Sequence, residues 1–250
     1  SLFWLQSGSS ILLVRTKFDH RRGTRPSSFL FALHIALGET SLLMREEFIT
    51  AIESGQGSFG LKLTADQVSR LADLYQTVME DNDLLHLVAP CSAEEFAVRH
   101  VLESLTMLDH LPPNARFADV GPGAGFPAFP CLLVRNDLSA TLIESKEKKA
   151  NYLAAASESL GIESRVSIVN RQFEEADPEN VDVVTCRALD KFTQKLPKLV
   201  KWSKGRKMLL FGGPGLREAL EKTGRKFSQH LMPMSDQRFL FVIEKQKVSR

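Results

Sequence analysis

Residues 117–125 read Phe-Ala-Asp-Val-Gly-Pro-Gly-Ala-Gly, and Phe126-Pro-Ala128 follows them directly. A short apolar run from Arg116 to Val120 thus ends in glycines at alternate positions, Gly121, Gly123 and Gly125, before a helical stretch begins. Without a Cβ, backbone can turn sharply there and approach a ligand where a side chain would clash. Strand, glycine-rich turn and helix in that order make a nucleotide-type binding loop. A tight turn that holds no ligand has the same local pattern, so a second residue has to decide between them.

Glu144 is that residue. It ends Leu142-Ile-Glu144, the close of the next apolar run, 21 residues after Gly123. A carboxylate at that place accepts hydrogen bonds from both ribose hydroxyls of an adenosine. The alternative is a solvated residue at a helix start ahead of Lys146. Two cofactor classes use such a loop and acid. Gly123-Ala-Gly125-Phe-Pro-Ala128 fits the looser dinucleotide fingerprint, which keeps a nicotinamide-dependent oxidoreductase open. Against it, Pro127 and Pro130 crowd the helix start, and Asp119 lies two residues before the first glycine. A carboxylate there suits the cationic end of a methionine moiety and repels a pyrophosphate. S-adenosylmethionine therefore fits better than NAD.

Outward from the loop, short apolar runs alternate with helical stretches, the pattern of a parallel sheet covered on both faces. Strands are expected at 116–120, 139–144, 165–169, 181–186, 206–211 and 238–244, with a further short one near 228–232. Helices are expected at 126–135, 146–160, 188–202 and 215–224. Upstream, Thr64-Ala-Asp-Gln67 and Ser92-Ala-Glu-Glu95 both have capping-box spacing. The first precedes Val68, Leu71, Tyr75 and Val78, and the second Val98, Val101, Leu102, Leu105 and Leu108, each set on one helical face. Pro112-Pro113 ends this helical part.

The fold class expected is α/β: a Rossmann-like domain at 114–250 with a mostly parallel seven-stranded sheet, preceded by a small helical cap at 44–113. Residues 1–43 show no sustained periodicity and begin without Met, and Met44 looks like a natural start. They are expected to be a disordered or non-native extension, an Arg-rich targeting peptide being the alternative. They hold five basic side chains (Arg15, Lys17, Arg21, Arg22, Arg25) against Asp19 and Glu39. The whole chain has a net charge of only +2, so the remainder is close to neutral and nucleic-acid binding needs a local patch.

With 43% hydrophobic and 25% charged residues, disordered and collagen-like classes are excluded. No apolar stretch reaches the roughly 18–20 residues of a membrane span. Cys91, Cys131 and Cys186 are far apart with no zinc-ligand spacing, which points to a reducing compartment and no metal.

The run from Ala97 to Val248 resembles the RsmG (GidB) family of 16S ribosomal RNA guanine-N7 methyltransferases. The pieces that carry the resemblance are Val98-Arg-His-Val-Leu-Glu-Ser104, the loop from Phe117 to Pro130, Leu142-Ile-Glu-Ser145, Asn170-Arg-Gln-Phe-Glu-Glu175, Thr185-Cys-Arg-Ala188 and Arg238-Phe-Leu-Phe-Val-Ile-Glu-Lys245. Two positions depart from the family pattern. Phe211-Gly212 stands where the family has Lys-Gly, and His86-Leu-Val where it has Asn-Leu-Thr.

The resemblance implies a class I methyltransferase fold, S-adenosylmethionine as donor, and the small-subunit RNA or the small ribosomal subunit as partner. It implies that Gly121, Gly123, Gly125 and Phe126 line the donor, Asp119 supports its methionine end, Glu144 binds its ribose, and Arg171 and Gln172 border its adenine. Arg187 and His100 are expected at the reaction centre, Arg187 also against the donor, and Arg99 and Arg238 at the RNA. A packing role for His100 and structural ion pairs for Arg99 and Arg238 are the alternatives. Guanine N7 is an acceptor with a free lone pair, so methyl transfer to it needs alignment rather than a base. Thr185-Cys-Arg-Ala188 lacks the Asp/Asn-Pro-Pro-aromatic segment of amino-group methylating enzymes. Cys186 reads as a buried strand-end thiol rather than a nucleophile.

Between Lys191 and Lys207 there are seven basic residues and no acid, with Lys191, Lys195, Lys198 and Lys201 recurring at helical spacing. Such a stripe tracks phosphates or is a solvated helix face. The expectation is a cytoplasmic monomeric methyltransferase acting on guanine N7 of 16S ribosomal RNA. Its rivals are a class I methyltransferase with another substrate, a NAD-dependent oxidoreductase, and a non-catalytic RNA-binding protein.

Overall fold

The structure, a computed structural model, describes residues 2–7, 10–15, 27–177, 180–187, 189 and 191–246, with side chains from Thr40 onward. The chain divides into two units, Ser1–Met44 and Arg45–Arg250. In the first, β1 (Leu2–Ser7) and β2 (Ser10–Arg15) pair antiparallel, Leu2 opposite Arg15 and Ser7 opposite Ser10. The helix α1 (Ser27–Gly55) begins in this unit and ends in the second. The basic residues Lys17, Arg21, Arg22 and Arg25 lie outside the described residues.

The second unit opens with the end of α1, which buries Phe48 and Ile52. Then comes α2 (Ala65–Leu85), started by a complete capping box: Thr64 Oγ1 accepts from Gln67 N–H, and Gln67 Oε1 accepts from Thr64 N–H. Its apolar face buries Val68, Leu71, Leu74, Tyr75 and Val78. The next segment departs from expectation. Ser92 Oγ does accept from Glu95 N–H, but the Glu95 carboxylate pairs with Arg99 rather than returning to the cap.

Beyond Ser92 the chain does not form one regular helix: α3 (Ala93–Phe96) widens into a π-helical turn at Ala97–Leu102, tightens to α4 (Glu103–Leu105) and ends as a 3-10 turn at Thr106–His110. Val98, Val101, Leu102 and Leu105 are buried as the spacing predicts, but Leu108 is only half-buried. Widened turns release carbonyls from the i→i−4 ladder, so other donors have to satisfy them.

The Rossmann-like part runs β3 (Arg116–Val120), α5 (Ala128–Val134), β4 (Ser139–Ile143), α6 (Glu147–Ser159), β5 (Val166–Val169), β6 (Val183–Cys186), α7 (Phe192–Trp202), β7 (Lys207–Gly212), α8 (Pro214–Glu221), β8 (Ser228–Leu231) and β9 (Phe239–Ile243). All seven expected strands are present within two residues. The expected helix at 188–202 begins only at Phe192, because Lys191 ahead of it takes a left-handed conformation (φ 53°), and it carries Pro197 inside. The sheet order is β5-β4-β3-β6-β7-β9-β8, parallel except for β9, which is antiparallel to both neighbours. The chain reverses its direction of winding between β3 and β6. In such sheets the crevice at the carboxyl ends of those strands is the ligand site.

Alternation along the strands divides the core. Ala118, Val120, Val184, Cys186, Met208 and Leu210 pack with Leu196 and Leu199 of α7 and Leu216 and Leu220 of α8. Phe117, Asp119 and Thr185 alternate with them and so point to the other face. There α2 packs on α5 and α6. The short α5 is terminated by donors from outside itself: Gln67 Nε2 to Val134 O (2.9 Å), Arg70 Nη1 to Leu133 O (2.8 Å) and Arg165 Nη2 to Leu132 O (2.9 Å). Orphan carbonyls at a helix end need such partners. Among the described residues no helix is long and apolar enough to cross a membrane, and no group of three or more His, Cys, Asp or Glu is placed to hold a metal ion.

Candidate donor cavity and its surroundings

Gly121, Gly123 and Gly125 have φ values of 69°, 58° and 93°, all in the region that favours glycine. They serve different ends. A Cβ on Gly125 would stand 2.3 Å from the Phe129 ring, so this glycine exists for the packing of the loop on α5. A Cβ on Gly123 would meet nothing within 4 Å, because it would project into a cavity of about 370 Å³. The cavity opens at the carboxyl ends of β3, β4 and β5 and is lined by Gly121, Gly123, Glu144, Arg171, Gln172 and Lys195, among others.

Glu144 is 6% exposed and held on three sides. Its N–H donates to Val169 O, its carbonyl accepts from Asn170 Nδ2 (2.8 Å), and its Oε1 accepts from Lys146 N–H (2.9 Å). The carboxylate is thereby fixed at the cavity wall before any ligand arrives.

Asp119 lies behind the loop, fully buried. Its Oδ2 accepts from Ala128 N–H (3.3 Å) at the start of α5, while Oδ1 has no hydrogen-bond partner among the described residues. Burial pushes this carboxyl well above the usual carboxylate range, and the charge of Glu144 adds to that. The Ala128 bond and Arg187 work the other way. A buried acceptor left without a donor costs about 1–3 kcal/mol, so Oδ1 is a place where a ligand's donor group gains more than it would in water.

The remaining expected site residues gather elsewhere. Phe126 is 5% exposed and packs edge-on against Phe96 (centroids 5.6 Å apart), joining the aromatic cluster of Phe48, Tyr75 and Phe96. The His100 ring sits between Phe96 and Phe126, at 5.1 and 5.3 Å. Burial, with the charges of Arg187 and Arg99, lowers its pKa to about 3, so it is a neutral ring at physiological pH.

Arg187 follows β6 and reaches up to the π turn. It donates to Arg99 O, to His100 O (3.2 Å) and to Ser104 Oγ (3.1 Å), taking up carbonyls which the widened turn releases. Its burial lowers its pKa to about 10, with Glu103 opposing the shift. Glu103, 2% exposed, holds two arginines: Arg238 Nε at 2.5 Å from one carboxyl oxygen and Arg187 Nη2 at 3.7 Å from the other.

Arg99 and Arg238, expected at the RNA, are thus both in ion pairs, with Glu95 and Glu103. Of the α7 stripe, Lys195 reaches the cavity, Lys198 lies 3.9 Å from Glu174, and Lys191, Lys198 and Lys201 are exposed. Cys186 is fully buried, and burial pushes its thiol pKa well up, which removes it as a nucleophile.

Three residues escaped the sequence reading. Lys146 and Lys149 line the cavity beside Glu144; the signal was two cations at the start of a helix, against its dipole. Glu103 was hidden because a charged residue in an apolar helical pattern normally faces water.

Residues 67–245 match the family model described as rRNA small subunit methyltransferase G (GidB). The chain belongs to this family. Relatives named Ribosomal RNA small subunit methyltransferase G include those of Sorangium cellulosum, 33% identical over 57% of this chain and 62% of the relative, and Pelotomaculum thermopropionicum, 36% identical over 54% and 58%. That of Halorhodospira halophila is 34% identical over 58% of this chain and 69% of its own length. The chain spans about 60% of the length of the first two of these relatives. The family match starts inside α2, so it takes in nearly all of that helix and the helical run at 93–110 as well as the sheet.

Proposed function

We propose that this chain is an S-adenosylmethionine-dependent methyltransferase that methylates guanine N7 in 16S ribosomal RNA. The observation that carries the donor assignment is the cavity at the β3–β6 switch point, with fixed Glu144 on its wall and the orphaned Oδ1 of buried Asp119 behind its loop. These groups fit the donor: Glu144 would accept from the ribose hydroxyls, Asp119 from the ammonium of the methionine end, and Arg171 and Gln172 would border the adenine. The bound donor supplies a methyl group on a sulfonium. That methyl would pass to the lone pair of guanine N7, the electrons of the methyl–sulfur bond staying on sulfur and the positive charge moving to the guanine.

No proton has to be removed in that reaction, so the neutral, packed state of His100 and the engaged state of Arg187 are compatible with it. Their part is to hold the π turn, which carries the exposed Arg99 side chain. The exposed Lys191, Lys198 and Lys201 of α7 would meet RNA phosphates, with Arg99 and Arg238 nearer the target base. Residues 44–113 would act as the cap and 114–250 as the catalytic domain, in a monomeric cytoplasmic protein that works on the small ribosomal subunit or its RNA.

The test is calorimetric titration of the full chain with S-adenosylhomocysteine, with NADH as the competitor class, on the wild type, Glu144→Gln and an Asp119→Ala/Glu144→Ala double variant. Micromolar binding that weakens in Glu144→Gln and disappears in the double variant is expected. Preference for NADH, or no binding by a folded wild type, overturns the reading.

A further inference from the structure

The wall of the donor cavity carries an excess of positive charge. Among its described lining residues Lys146, Lys149, Arg171 and Lys195 are cationic, and Glu144 is the one anionic side chain. They come from three separate places, the start of α6, the loop after β5 and the first turns of α7. The ion pairs among the described residues use none of the four.

Burial lowers the pKa of Lys149 below the ordinary lysine value; Glu144 opposes that shift and the charge of Lys146 adds to it. Lys146, Lys148 and Lys149 also stand at the positive end of the α6 dipole, where cations are locally unfavourable. Glu147 in the same first turn offsets the three lysines only in part.

The excess continues outside the cavity. A second groove of about 390 Å³ runs between the end of α2, at Leu84 and His86, and the start of α6, at Lys148. Lys146 and Lys149 line both spaces, and the groove sets three lysines against Glu147, so the excess of positive charge leads from the cavity mouth into the groove.

S-adenosylmethionine has a sulfonium, an ammonium and a carboxylate, a net charge of one positive. S-adenosylhomocysteine has lost the sulfonium and carries none. A rim of four cations therefore repels the donor and leaves the product alone, a selectivity opposite to what a methyltransferase on its own requires. A run of phosphates laid on the same rim reverses its sign.

We infer that Lys146, Lys149 and Lys195 on the rim seat the phosphodiester backbone of the RNA, Arg171 adding its charge from beside the adenine, and that this contact switches the cavity from preferring the spent product to accepting the charged donor. The inference rests on the methyltransferase reading above. By linkage, the donor raises RNA affinity by the same factor as RNA raises donor affinity.

The experiment measures the Kd of both compounds on the full chain by calorimetry, at about 50 and about 200 mM potassium chloride. It is done alone, with a short mixed-sequence RNA, and with inorganic polyphosphate, for the wild type and a Lys146→Gln/Lys195→Gln double variant. Without polyanion the product is expected to bind about tenfold more tightly than the donor, a coupling of ordinary size. Salt should narrow that gap by improving donor binding with little change for the product, and RNA, polyphosphate or the double variant should narrow it too. Equal affinities at low salt, a gap that neither salt nor the double variant moves, or a response to RNA with none to polyphosphate would each overturn the inference while leaving the donor site intact. Binding of neither compound would instead overturn the methyltransferase reading on which it stands.

Discussion

At the scale of single residues, the three glycines of one loop have separable roles. Alanine at Gly125 has to displace the Phe129 ring or the loop, an overpacking that costs about 1–3 kcal/mol. Alanine at Gly123 meets no atom and bears only the strain of a left-handed conformation, about 1–2 kcal/mol. Urea unfolding should rank Gly125→Ala as the less stable, whereas titration with S-adenosylhomocysteine should show Gly123→Ala as a folded protein that has lost affinity. Equal stability of the two would refute the packing role of Gly125.

His100 makes a second residue-level prediction. Its pKa is held at about 3 in the folded chain against 6.5 ordinarily, so the unfolded chain takes up the proton first as pH falls. The stability this site provides is complete above about 6.5 and is lost progressively toward about 3. In His100→Phe, where the ring stacks without titrating, unfolding free energies measured between about pH 7 and pH 4 should fall less steeply than in the wild type. Parallel slopes would show that the ring is not where it titrates in this way.

At the scale of elements, α2 does more than complete a capping box. Gln67 closes the box and also donates to Val134 O at the end of α5, so one side chain stabilises the start of one helix and the finish of another. Thr64→Ala removes only the first of these and should cost about 1 kcal/mol. Gln67→Ala removes both and should cost more, about 1.5–2 kcal/mol by the usual worth of an added hydrogen bond. Denaturant midpoints of the two variants decide it, and a larger loss for Thr64→Ala would mean that the contact with α5 contributes nothing.

The segment after α3 shows the same economy. Its π turn is tied to the sheet by one side chain, because Arg187, directly after β6, donates to the carbonyls of both Arg99 and His100.

At the scale of the whole molecule, one buried carboxylate ties the helical part to two strands of the sheet. Glu103 lies buried between Arg187, which follows β6, and Arg238, which precedes β9. Removing it leaves Arg187 buried without a counter-charge, and breaking a pair of this kind costs about 3–5 kcal/mol. Glu103→Ala should unfold at a markedly lower urea concentration than the wild type, with Arg238→Ala milder because that side chain is 36% exposed. Matching midpoints for Glu103→Ala and the wild type would show that the network does not hold the two parts together.

Periodicity and turn chemistry by themselves determined the seven strands, their helices, the capped α2 and the pairing of a glycine loop with Glu144. These are set by interactions within a few residues along the chain, and the family resemblance added an ordered set of such motifs. Sequence could not show that Arg187 and Arg238 converge on Glu103 rather than on the cavity, because these partners lie up to 135 residues apart in the chain. Nor could it show that Gly125 serves packing while Gly123 faces open space, since both have the same local signature. Lys146, Lys149 and Lys195 became one cationic rim only when the parallel strands brought the starts of α6 and α7 to the same end of the sheet. Tertiary structure decided these points because burial and charge depend on what packs against a residue, and local sequence does not specify that.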